Sequence, residues 1–271
     1  MGFEVVHNSP QTVWVPLNYQ DTIYVGSIAC IDISGVASHS GINMLPQAAG
    51  AWNTAYDIPF GVVIGTNLRR PLFNTTYKCE EITSASPLAS TTEFVGVEGP
   101  YIKGGREHMV KVAVIDPSTV CRSNIVVDAI GTAPTILTVT ATVSAGTSIA
   151  HNTNHVACVD GWSTIYFRSG LNKGTYRILS GTASTTAGAW TIPTYAPVTT
   201  GDQAVVVNLK PFGISQAQLL ATALTCFDVG TTLGSNYFGI DVVRLDLSVQ
   251  YHEYVEFRWN IINFYPAAGR D

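Results

Sequence analysis

Hydrophobic and polar positions alternate most regularly near the end of the chain. Val243, Leu245, Leu247, Val249 and Tyr251 fall on one side of a two-residue repeat, with Arg244, Asp246, Ser248 and Gln250 on the other. After His252-Glu253-Tyr254 the alternation resumes with Val255, Phe257, Trp259 and Ile261. Successive side chains of a strand point to opposite faces, so the pattern predicts two strands with polar outer faces, paired as a hairpin or crossing between sheets. A Thr/Val alternation from Ile136 to Val143 predicts another half-buried strand. Between them, Trp162 to Leu209 is a succession of short runs closed by Gly, Asn, Pro or Asp. Ile165-Tyr166-Phe167 and Tyr176-Arg177-Ile178-Leu179 read as strands joined at Gly170 to Gly174, whose glycines suit a tight connection. Trp190 to Ile192 and Ala204 to Leu209 supply two more.

The first half is punctuated in the same way. Thr22 to Val25, Ile28 to Ile33, Phe60 to Ile64, Phe94 to Val97 and Met109 to Ile115 each end in a turn signal, as expected of a barrel or sandwich. His39 to Asp57, with Pro46, Gly50 and Trp52, reads as a long functional loop. One short helix is predicted near residues 215–225. Ser215-Gln216-Ala217-Gln218 has capping-box spacing, and Leu219, Leu220 and Leu224 form its apolar face. The expected architecture is therefore all-β, with two β-barrel or β-sandwich domains and that helix. Residues 1–20 form an N-terminal arm or a first strand through Thr12 to Val15, residues 21–125 the first domain, and residues 126–271 the second.

Composition changes the picture at the surface. Asp, Glu, Lys and Arg make up only 12% of 271 residues, against about 25% for an average domain. The surface must then be mostly hydroxyl, amide and backbone, which suits broad contact because few charges are desolvated when a partner covers it. A net charge of −5 with fourteen basic residues argues against coating nucleic acid. No apolar run has the length of a membrane span, and Met1-Gly2-Phe3-Glu4 begins neither a secretory signal nor a myristoylation site. The expectation is a soluble product made in a cytoplasm, an assembly subunit in preference to an enzyme.

Candidate chemistry is sparse. Five widely spaced cysteines contain no C-x-x-C, and next to strand-like residues a reduced thiol behaves as a small hydrophobe. His151, His155 and Cys158 are the best metal candidates, since two imidazoles and a thiolate suit zinc. The plainer reading is polar loop histidines beside a buried cysteine, because Asn152-Thr153-Asn154 is a loop composition and not the helix that would bring the histidines together. The serine-hydrolase elbow, phosphate loop and dinucleotide fingerprint are missing, so no catalytic or cofactor-binding residue is assigned. Distant carboxylate pairs such as those among Glu80, Glu81, Glu93, Glu98 and Glu107 keep a glycan-active enzyme open as a third reading. As candidate interface residues we take Trp14, Trp52, the adjacent pair Arg69 and Arg70, and the cations Arg168, Lys173 and Arg177 around the glycine-rich turn.

Several phrases then suggest a family. Asp21 to Ser27 (DTIYVGS), Ile58 to Asn67 (IPFGVVIGTN), Asn172 to Arg177 (NKGTYR) and Gly201-Asp202, in that order, resemble the decoration, or cement, proteins of tailed bacteriophage heads. The resemblance covers most of the chain through pattern and small-residue phrases, without a diagnostic motif. It implies a virion subunit on the outer head surface, often a homotrimer, that binds the major capsid protein and reinforces the shell without catalysis, cofactor, nucleic acid or membrane. A receptor- or carbohydrate-binding tail or fibre module shares the same β-rich character and is the alternative.

Overall fold

In the computed structural model the described residues are 2–7, 10–16, 22–32, 41–44, 57–66, 72–75, 79–83, 109–127, 132–144, 148–151, 161–179, 189–191, 194–219, 226–230 and 237–260. Among them every regular element is a strand, so the chain is all-β. It divides into two compact units, and the chain passes from the first to the second between Ser123 and Asn124. The first unit also includes residues 219–226 and 261–271.

The first unit begins with β1 (Glu4–His7), β2 (Thr12–Pro16), β3 (Thr22–Tyr24), β4 (Ile28–Asp32) and β5 (Gly41–Met44). It continues through β6 (Asp57–Thr66), β7 (Leu72–Asn74), β8 (Cys79–Thr83), β9 (Met109–Val114) and the first half of β10 (Val120–Val126). A five-stranded antiparallel sheet runs β2-β9-β6-β4-β5, and a three-stranded one β3-β8-β7. Ile28, Ala29, Val62, Val63, Val112 and Ala113 are buried on the central strands β4, β6 and β9, as the apolar runs there predict. β1 pairs antiparallel with β10, Glu4 facing Arg122. The N-terminus is tied down where Phe3 N donates to Gly26 O at 2.9 Å. There the Cβ of any other residue at position 26 would lie 2.6 Å from the Cα of Gly2. The expected long loop over His39 to Asp57 contains β5, and its remainder, with Trp52, lies outside the described residues, as does Phe94 to Val97.

The second unit takes the rest of β10 and adds β11 (Ile136–Thr138), β12 (Ser148–Ala150), β13 (Thr164–Phe167), β14 (Tyr176–Ile178) and β15 (Ala189–Thr191). It is completed by β16 (Gln203–Val207), β17 (Gly213–Leu219), β18 (Phe227–Asp228), β19 (Tyr237–Asp246) and β20 (Tyr254–Trp259). The strands β10, β18, β17, β19 and β20 follow one another, and β20 returns to pair with β10, closing a five-stranded ring. β10 and β18 are parallel, with Ile125 facing Phe227. Inside, Phe227, Phe257 and Trp259 meet edge to face, with centroids 4.9, 5.0 and 6.3 Å apart. A second, four-stranded sheet runs β11-β16-β13-β14, and β12 pairs with β15.

Two expectations are corrected here. The helix near 215–225 is strand β17 as far as Leu219, and residues 220–225 lie outside the described residues. Ser215 does not cap a helix. Its backbone pairs with Ile240 of β19, and its buried hydroxyl accepts from Lys210 N at 3.1 Å. Strand pairing with β19 takes the backbone of Gly213 to Gln218, where the capping reading would have left helix-end groups partly orphaned. The single face expected for Val243, Leu245, Leu247, Val249 and Tyr251 is also broken. A bulge between Val242 and Arg244 shifts the register, so Val242 is buried and Val243 exposed, and Val249 and Tyr251 lie beyond the strand end on an exposed turn.

Phe257 touches both other rings of the cluster. Phe257→Ala is expected to lower stability by about 3–5 kcal/mol, the range for emptying a buried aromatic site, as read by urea unfolding followed through Trp fluorescence.

Candidate functional site

The glycine-rich turn between β13 and β14 is built from its hydrogen bonds. β13 is buried along its whole length, and the chain leaves it through Arg168. Gly170 and Gly174 take positive φ, 74° and 85°. Gly174 N donates to Phe167 O at 2.9 Å and Lys173 N to Gly170 O at 3.2 Å. Gly170 rests against the Asp202 carboxylate, where a Cβ would have no room. Asn172 is buried and acts as a second backbone strand: its Oδ1 accepts from Ala196 N at 2.9 Å and its Nδ2 donates to Ala196 O at 2.8 Å. These bonds place Leu171 and Tyr195 on neighbouring segments, 71% and 82% exposed.

Arg168 joins this turn to the connection between β19 and β20. Its Nε donates to Leu247 O at 2.7 Å and its Nη2 to Glu253 Oε1 at 2.5 Å, with the two side chains 7% and 1% exposed. Arg168, taken above as a candidate interface residue, has its guanidinium engaged inside its own unit, where the buried carboxylate requires a partner charge. Alongside, the Tyr166 and Tyr176 rings lie 4.6 Å apart, and Tyr176 Oη donates to Leu245 O at 2.6 Å. Burial, with the nearby Tyr166 and Asp246, pushes the Tyr176 hydroxyl up to about 12. Burial pushes Asp246 up as well, but hydrogen bonds from the Ser248 hydroxyl and amide, helped by Arg244, outweigh it and hold the carboxyl below the usual range.

The other sequence candidates scatter. Lys173 is exposed at the turn tip, while Arg177 is half-buried on β14 with Nη1 on the Tyr176 carbonyl at 2.8 Å. Trp14 is half-exposed on the edge strand β2 of the first unit, opposite Lys111. Trp52, Arg69 and Arg70 lie outside the described residues, as do His155 and Cys158 of the metal trio. His151 is buried and bridges to Val139 through its backbone. Among the described residues no group of three or more His, Cys, Asp or Glu is placed to hold a metal ion. A recess of ≈ 330 Å³ in the first unit is lined by Val5, Val6, His7, Pro10, Thr12, Ile64 and Ala113, with His7 its one ionisable side chain.

What unites Leu171, Tyr195, Val249 and Tyr251 is exposure of apolar surface on hydrogen-bonded turns, with little charge among them. Sequence reasoning missed all four, and placed Val249 and Tyr251 on a core face. The signal present was that both follow Asp246-Leu247-Ser248, where the Asp side chain turns back on the Ser amide. No protein-family model, curated protein or solved structure matches the chain.

Two outcomes follow from this geometry. Arg168→Met should destabilise by about 3–5 kcal/mol, since it strands the Glu253 charge, and the double change Arg168→Met with Glu253→Leu should recover most of the loss in a denaturant titration. The Tyr176 pKa is higher in the folded chain than the ordinary 10.0, so the folded state holds that proton more tightly. Its stabilising contribution is complete below pH 10 and is lost as pH rises to about 12. The unfolding midpoint should fall across that window, less steeply in Tyr176→Phe.

Proposed function

We propose that the chain is a structural subunit of a virion, a head decoration protein that binds the outer capsid surface and stabilises the shell without catalysis. The observation that carries the proposal is the set of exposed apolar side chains, Leu171, Tyr195, Val249 and Tyr251, mounted on turns that internal hydrogen bonds hold in place. Such a surface loses little on contact, because few charges are desolvated and the backbone beneath is already ordered. The all-β architecture and the 12% content of charged residues agree with it.

The partners on this reading are the major capsid protein and further copies of the chain, as a homotrimer. Many copies on a repeating lattice each add a modest interface energy, and multivalency makes the sum large. The exposed Tyr195 ring also suits stacking on a sugar, which supports a carbohydrate-binding tail or fibre module as the second reading.

Purified protein should sediment with emptied heads that lack it and raise the temperature at which those heads are disrupted. Heads that remain unbound, with their heat resistance unchanged, would exclude the decoration role. Saturable binding to oligosaccharides instead would favour the second reading.

A further inference from the structure

The five-stranded sheet of the first unit has two unlike faces. On one, Val13 lies opposite Val112 and Val112 opposite Val63, with Val63 and Val112 fully buried. Neighbouring residues of a strand point the other way, so Thr12 and Ala113 share the outer face, as do Trp14 and Lys111. Beside Thr12 and Ala113 that face is walled by Val5, Val6, His7 and Pro10, and the recess of ≈ 330 Å³ lies between them. Two residues further along β2 the face is open. Trp14 is 50% exposed there, and Ile64, displaced by the bulge between Val63 and Gly65, is 42% exposed.

The polar groups of this face are unused by the fold. The Trp14 ring, the Lys111 ammonium, the His7 imidazole and the Thr12 hydroxyl have no hydrogen bond, ion pair or ring contact among the described residues. An apolar protein surface laid over them would strand these groups, at about 1–3 kcal/mol for each one buried without a partner. A sugar has the complementary chemistry: hydroxyls that donate and accept, and a C–H face that stacks on an indole. The recess has the volume of a small ligand site, about 300 Å³ and upward. Trp14 and Lys111 stand about 7 Å beyond Thr12 and Ala113 at the strand rise, so one ring in the recess leaves the next over the indole. Lys111 brings a positive charge, and no carboxylate lines the recess. We infer that this face of the first unit is a binding site for a short carboxylated oligosaccharide. Trp14 stacks on one ring, Lys111 holds its carboxylate, and Thr12 and His7 bond the hydroxyls of the ring in the recess. The site belongs to the first unit and does not depend on the decoration reading.

The full chain is to be tested on immobilised oligosaccharides, uronate- and sialate-bearing ones beside neutral ones of the same length. The wild type should bind the carboxylated set saturably. Trp14→Ala should weaken that binding about tenfold or more, and Lys111→Gln should abolish the preference for carboxylated over neutral chains. Both positions lie on an open sheet face, and unchanged thermal midpoints would show that the variants fold; Thr12→Val, which keeps the shape of the side chain, should weaken binding without touching the ring or the charge. Absence of oligosaccharide binding by the wild type, or equal binding by Trp14→Ala, would overturn the site. Binding of neutral chains as tightly as carboxylated ones would overturn the acidic ligand. Loss of head binding in Trp14→Ala and Lys111→Gln, with no oligosaccharide bound by the wild type, would replace the sugar with a protein contact.

Discussion

Phe227, Phe257 and Trp259 form the contact around which the second unit is organised. A ring of only five strands has an interior that side chains alone can fill, and three aromatics meeting edge to face do so. Phe257 and Trp259 come from alternate positions of one strand, so the pleat aims both inward, while Phe227 enters from β18 beside β10. The return of β20 to β10 closes the ring through backbone pairing.

The Arg168–Glu253 pair carries that order out to the turns. Removing two charges from water is costly, and such a pair is weak evidence for net stability, but it tolerates only a narrow geometry. Because Arg168 also holds the Leu247 carbonyl, the end of β13 and the connection between β19 and β20 have one relative position. Asn172 does the same between the β13–β14 turn and the segment through Ala196, using a neutral amide. Exposed apolar side chains standing on these braces lose less freedom on contact than they would on slack loops. On the proposed reading, that preorganisation is what lets a small, nearly uncharged contact count, with the lattice multiplying it.

Much of this was legible in the chain. The all-β class, the β13–β14 hairpin with its glycine turn and the antiparallel pair β19–β20 all follow from two-residue periodicity and turn chemistry, which act over a few residues. Local signals failed where a longer-range partner competed. Ser215 has capping spacing, yet pairing with β19 takes its backbone and Lys210 takes its hydroxyl. Val243 fits the alternation, yet a bulge turns it outward. Arg168 lies beside a glycine-rich turn like any surface cation, yet it is nearly fully buried.

The amino-acid pattern by itself determined strand class, most strand positions and the sites of the tight turns, because each depends on the residue's own conformational preference and its nearest neighbours. The tertiary structure alone decided which strands close the ring, that Arg168 faces inward and that Tyr251 is displayed on a left-handed backbone. The groups responsible are distant in sequence: Leu247 and Glu253 lie 79 and 85 positions from Arg168. No local pattern encodes which carboxylate a guanidinium will meet once both have left water.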